Sequence, residues 1–261
     1  MHAIKLVSTF LKVNLQMAMA YRADTVINIL LNLFWLAWEL LTLQIIFSNT
    51  TTLGGWGFGE MITLLAVFKM INLLMAAMIW PNTERFNTSV RDGSLDYMLL
   101  QPVSSLFLVS FSRITVWRLW DLILSIILIV VGVSISGVGT SIGQVGMFLV
   151  LLVSGAIVLY SLWIVLIALT FWFTKFDNNV TILQALLDAG RYPATVYPFW
   201  LRALITYVIP IALATTIPVQ ALRGELSLDA IALYLFVAAA AFLIARTVWH
   251  AGVKRYSGAS S

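Results

Sequence analysis

The chain has 261 residues, 61% of them apolar and only 10% charged, where a soluble domain runs nearer half and about a quarter. That excludes a water-soluble fold, because the apolar residues fill runs of about twenty instead of recurring along one amphipathic face. Zero cysteines and two histidines, His2 and His250, also exclude disulfides, thiolate metal sites and cysteine nucleophiles, and leave metal chemistry without a ligand set.

In chain order, the segment 1–22 comes first. Ile4, Val7, Leu11, Leu15 and Ala18 share one helical side and Lys5, Ser8, Lys12 and Gln16 the other, as in a helix lying in the membrane interface. A cytoplasmic extension of the first span fits the same residues. Lys12, Asn14 and Gln16 interrupt any signal-peptide core and no small-residue cleavage site follows, so the segment is expected to be retained. Six stretches then have the roughly 20 residues a helix needs to cross about 30 Å of hydrocarbon. They are Val26 to Phe47, Phe58 to Trp80, Ile114 to Ile135, Val145 to Phe173, Phe199 to Leu222 and Leu228 to Val248. The expected fold is an all-α membrane protein, a single permease domain over 1–261 whose six spans put both termini on one side.

The surplus of 15 basic over 11 acidic residues is a topology signal, because short cytoplasmic segments hold excess Lys and Arg. Lys5, Lys12 and Arg22 precede the first span; Arg85 and Arg91 follow the second; Lys175 and Arg191 follow the fourth; Arg246, Lys254 and Arg255 close the chain. Arg113, Arg118 and Arg202 flank spans on that side too. The opposite connections hold only Arg223. Both termini are therefore expected in the cytoplasm and the protein in the cytoplasmic membrane, with no role for nucleic acid. Gly54 to Gly59 reads as a flexible external turn, and Gly139 and Gly143 have close-packing spacing but sit in a polar connection. Trp80, Trp117, Trp200 and Trp249 fall near span boundaries, where aromatic rings anchor membrane proteins.

Two charges lie inside the predicted spans. Glu39 and Lys69 sit at depths that differ by about 3 Å at 1.5 Å per residue, and an ionised group there costs about 2.5–3.5 kcal/mol. They are expected to pair, either as a polar element of a path or as a fastening between two helices. Asn28, Asn32 and Asn72 add hydrogen-bonding groups to the same helices, and Arg118 and Asp121 have ordinary helix-surface spacing.

The stretch from Pro81 to Pro102 is the longest polar segment and predicts helix, hinge, helix. Asn82 or Thr83 caps a first helix, Gly93 ends it in the left-handed conformation, and Ser94 or Asp96 starts a second turn carrying Tyr97, Met98, Leu99 and Leu100. An ordinary loop with two solvated turns fits the same residues. The block Arg91-Asp92-Gly93-Ser94-Leu95-Asp96-Tyr97-Met98-Leu99-Leu100-Gln101-Pro102-Val103 resembles the hallmark of permease subunits of ABC-2-type ABC transporters, in the six-span branch with minimal external loops. Gly190-Arg191-Tyr192-Pro193, Tyr197-Pro198, Pro210 and Pro218 are similar to that branch as well, while Gln101 stands where many relatives have a basic residue. The resemblance implies an exporter of two permeases and two ATPases, with segment 81–103 as the cytoplasmic coupling segment. Arg91, Asp92, Gly93, Leu95, Asp96 and Pro102 would then be its ATPase-contacting residues. The second six-span permease is a different chain in preference to a second copy.

No Gly-x-x-x-x-Gly-Lys-Ser/Thr loop occurs, so ATP and Mg²⁺ belong to a separate ATPase and this chain is not itself an enzyme. A stand-alone secondary transporter, with Glu39 and Lys69 as coupling groups and the proline-bearing fifth span as a broken helix, is the alternative. A lipid-modifying enzyme is weaker, since Asp92 and Asp96 lack the denser acidic cluster that metal-assisted chemistry needs.

Overall fold

The computed structural model describes residue 16 and residues 22–115, 118–173 and 179–256. The predicted interfacial helix, Trp117 and Lys175 thus fall outside the described residues, apart from Gln16 and Arg22. Regular structure among the described residues is helical, and the only extended pairing is the Leu53–Trp56 bridge. Among the described residues four helices are long and apolar enough to cross a membrane, or five if one bent pair counts as a single span.

Helix α1 (Arg22–Asn49) turns at Gly54 into α2 (Phe58–Leu74), which runs through a π turn (Met75–Ile79) into α3 (Trp80–Arg91). Together α2, the π turn and α3 form one 34-residue helix, so the predicted start at Asn82 or Thr83 is replaced by continuity through Pro81. The reason is a substitute donor. Pro81 has no N–H to give the carbonyl one turn back, and that carbonyl, on Ala77, accepts the Thr115 N–H at 2.8 Å instead.

After Gly93 come the short helices α4 (Leu95–Leu99) and α5 (Ser105–Phe111), then α6 (Leu119–Ser136). Helix α6 packs along α2 at a glycine crossing. A side chain on Gly132 would collide with the backbone of Gly59 and with Thr63, so the two backbones approach as only glycine permits. Helix α7 (Ile142–Ala168) starts with a Ser141/Gln144 capping box and ends in a tight turn, Leu169–Phe171. Helix α8 is Asn179–Asp188, α9 Phe199–Ala203, α10 Thr216–Arg223 and α11 Leu228–Arg255.

The bundle has two ends, marked by Gly54 and by Asp92. Phe171 meets Phe86, Trp249 and Tyr256 at the Asp92 end, and the chain leaves α7 there. Leu183 and Leu187 of α8 enter the core, Gly190 presses against Ile211 and Thr215, and the Thr195 hydroxyl donates to the Gly54 carbonyl at 2.7 Å. Residues 179–198 therefore pass from one end of the bundle to the other. The stretch 199–223, read from sequence as the fifth span, instead begins and ends at the Gly54 end. Arg202 binds the carbonyls of Ala194, Thr195 and Tyr197, and Arg223 binds Glu60 at 3.0 Å and covers Trp56. Between these ends the pair bends by 69°, and its turn at Leu213 and Ala214 lies against Gly155 of α7. Arg191 and Arg202 accordingly stand in or beyond the bundle, not in a polar connection at the Asp92 end.

Trp163 and Trp249 are core residues; Trp249 packs on Phe86 and Phe171 instead of anchoring a boundary. The most apolar stretch of the α2–α3 helix is 72% buried, against 11% for those of α1 and α11. Val26, Leu30, Phe34 and Trp38 recur every fourth residue on the outer face of α1, suited to lipid or to another membrane chain.

Candidate functional site: a charged ladder and a hairpin at the Asp92 end

Lys69 of α2 places its ammonium 2.5 Å from a carboxylate oxygen of Glu39 on α1. The other oxygen of Glu39 lies 3.9 Å from Arg191, whose guanidinium also sits 5.3 Å over the Phe68 ring and 3.4 Å from Asp188. On its far side Lys69 lies in the field of Asp121, itself 3.5 Å from Arg118. The order Arg118, Asp121, Lys69, Glu39, Arg191, Asp188 alternates in sign through the bundle. Such alternation is how several charges share a low-dielectric region, because each is flanked by opposite charge.

Two hollows adjoin this ladder. One of about 240 Å³ is lined by Trp38, Glu39, Thr42, Arg191 and Tyr192, and a smaller one by Asn32, Lys69, Asn72, Arg118 and Asp121. Asn28, Asn32 and Asn72 do not tie helices together: each side-chain amide donates to the carbonyl four residues back on its own helix. Arg191 and Asp188 are the members that sequence reasoning did not connect to the pair. The Arg191 neighbours Gly190 and Pro193 read as a connection, and its partner Glu39 is far away in sequence. Among the described residues no three His, Asp or Glu side chains converge as metal ligands.

At the Asp92 end the helix finishes as a side chain and a glycine dictate. The Asp92 N–H still donates to the Thr88 carbonyl, Gly93 takes φ of +75°, and the Asp92 carboxylate accepts the Ser94 N–H at 2.9 Å. Hydrogen bonds from Ser94, its side chain foremost and then its backbone, hold the exposed Asp92 carboxyl below its usual range, with smaller help from Arg91. Of the residues assigned to coupling, Arg91, Asp92 and Pro102 are exposed and Gly93 and Asp96 partly so. Leu95 is fully buried, because α4 turns Leu95 and Met98 inward together, one turn apart. It anchors the hairpin and presents no surface. The outward residues are Tyr97 and Leu100, 76% and 82% exposed.

The base of the hairpin is locked by buried Asn82. Its amide nitrogen reaches the carbonyls of Met78, Ser110 and Arg113, and its oxygen accepts the Arg113 N–H and the Ser112 hydroxyl. Thr83 beside it accepts the Trp163 indole N–H at 2.7 Å, tying α3 to α7.

The described residues thus form a multi-pass helical bundle with a short polar hairpin at one end. The sequence model of the ABC-2 family transporter proteins matches residues 33–260, and the chain belongs to that family. Neither a curated protein nor a solved structure matches it.

Proposed function

We propose that this chain is the permease subunit of an ATP-driven exporter and supplies half of a translocation path. The Asp92 end faces the cytoplasm and docks on a separate ATPase that binds ATP and Mg²⁺. The observation that carries this reading is the hairpin. Tyr97 and Leu100 are the most exposed large apolar side chains of that segment, on a helix seated by Leu95 and Met98. An apolar pair held rigidly outward at a polar bundle end suits a protein partner better than water.

In this reading the chain crosses six times, through α1, the α2–α3 helix, α6, α7, residues 179–198 and α11. Both termini are then cytoplasmic, and 199–223 dips in from outside and returns. Irregular backbone at membrane depth is tolerated where protein surrounds it or water lines it, and Arg191, in the preceding stretch 179–198, faces Glu39 beside a hollow. The assembly has two ATPases and a second permease, a different chain in preference to a second copy.

The test exploits the absence of cysteine. Tyr97→Cys, in membranes coexpressing the neighbouring genes, should crosslink to an ATPase carrying a phosphate loop, while Phe199→Cys should not. Equal crosslinking at both, or none at Tyr97 in a complex active in ATP hydrolysis, refutes the docking. The ladder favours the second reading, a stand-alone secondary transporter, and ion-driven uptake by the purified chain without nucleotide would establish it.

A further inference from the structure

Beside the π turn the bundle leaves a cleft of about 690 Å³, within the size range of small-molecule sites. Its walls are Met75 and Met78 of the π turn, Phe111 of α5, Ile157 and Tyr160 of α7, and Phe242 of α11. Its polar groups are already engaged. The Ser110 and Tyr160 hydroxyls bond each other at 2.7 Å, and Ser154 donates to the Val150 carbonyl. A polar occupant would find no partners here and would lose its hydration, whereas hydrocarbon loses nothing. The rim residues Val153 and Leu235 are exposed at the side of the bundle, so entry is lateral. From Val153 to Tyr160 the cleft extends about 10 Å along α7 at 1.5 Å per residue.

The end of the cleft nearer Asp92 is closed by residues 110–113, the turn that Asn82 pins to α3. Arg113 stands on that turn, and Arg85 follows Asn82 by one helical turn. The two guanidiniums lie close enough to repel each other, and among the described residues neither forms an ion pair. Every rung of the ladder has an opposite charge beside it. This pair instead stands at the turn that closes the apolar cleft, with no opposite charge to offset it among the described residues.

We propose that the cleft is a lipid site of the leaflet at the Asp92 end: an acyl chain of an anionic phospholipid fills it, and the phosphate bridges Arg85 and Arg113. The lipid would thereby tie α11 and α7 to the base of the hairpin. This holds whichever side of the membrane that end faces, so it stands or falls apart from the exporter reading.

The full-length chain, purified in the complex it forms and stripped of lipid, is titrated in native mass spectrometry with phosphatidylglycerol, phosphatidylcholine and inorganic phosphate in separate arms. Two arginines worth about 1 kcal/mol each near a surface predict roughly thirtyfold tighter phosphatidylglycerol binding, about 2 kcal/mol. Arg85→Gln with Arg113→Gln should erase that preference while phosphatidylcholine still binds; Arg113→Gln alone, should the double variant misfold, should erase about half of it. Ala156→Trp, or Ala239→Phe in its place, fills the cleft and should expel both lipids. Equal affinity for the two lipids in the wild type, a preference that survives loss of the arginines, or retention in both filled variants overturns the proposal. So does displacement of phosphatidylglycerol by millimolar inorganic phosphate, which would make the site one for a free anion.

Discussion

The ammonium of Lys69 meets the carboxylate of Glu39 at 2.5 Å, joining the first two long helices below their shared turn. Both side chains are largely buried, and Arg191 approaches the same carboxylate less closely, at 3.9 Å. Removing one partner strands the other in a region of low dielectric.

A double-mutant cycle with Glu39→Gln and Lys69→Met should therefore show a coupling energy of about 1–3 kcal/mol in thermal stability. Arg191→Gln should couple to Glu39→Gln more weakly, its contact being longer and half exposed. Additive losses would mean that the close contact contributes nothing. Transport that survives in the stable double mutant would assign the pair to fastening, not to the path.

Gly93→Val should fold and insert but uncouple ATP hydrolysis from substrate. A φ of +75° costs a β-branched residue at least the roughly 1–2 kcal/mol of a left-handed residue, and the strain falls on the hairpin tip. Gly93→Asn, which tolerates that conformation, should retain most of the coupling. The readout is substrate-stimulated hydrolysis in the reconstituted complex, and wild-type stimulation in Gly93→Val would overturn the assignment.

Gly132→Leu should lower stability by about 1–3 kcal/mol, the usual penalty of overpacking a close contact. Gly139→Leu is the control: nothing lies within 4 Å of a side chain placed there, and the expected change is within about 0.5 kcal/mol. Melting curves of the two variants in one detergent decide it, and similar losses would contradict the α2–α6 crossing.

The depressed Asp92 carboxyl gives the hairpin a pH signature. Because its folded pKa lies below its unfolded one, its contribution is complete above the ordinary Asp value of about 3.9 and disappears as pH falls through the folded value. Amide-exchange protection at Ser94, corrected for intrinsic rates, should be level from pH 7 to about 4 and then decline. Asp92→Ala should lack the protection at pH 7 and show no such decline. Loss beginning near pH 6 would place the controlling group elsewhere.

Hydropathy made the long spans legible because α1, α7 and α11 each expose an apolar face among the described residues, as a membrane requires. It passed over residues 179–198 for the converse reason. Arg191 and Asp188 are polar when counted singly, and only their distance to Glu39 and to each other shows them to be tolerable inside the bundle. Leu95 was misdirected by its place in a recognisable block, where its helical phase with Met98 was the better guide. Asn82 followed a proline and so had the look of a cap, although its five backbone and hydroxyl contacts make it the hub of a tertiary junction.

The Ala77 carbonyl, left over by Pro81 and taken by the Thr115 N–H, has a consequence for how this region tolerates change. Main-chain atoms hold one side of the junction: the Thr115 amide on Ala77, and the Ser110 and Arg113 backbone on Asn82. Replacing exposed side chains between Val103 and Thr115 leaves those atoms in place and should be tolerated in a substitution scan, whereas the buried Leu108, Val109 and Ser110 should not be. Adding or deleting one residue there shifts every main-chain partner at once. The length of this stretch, more than its composition, is what couples the hairpin to the long helix.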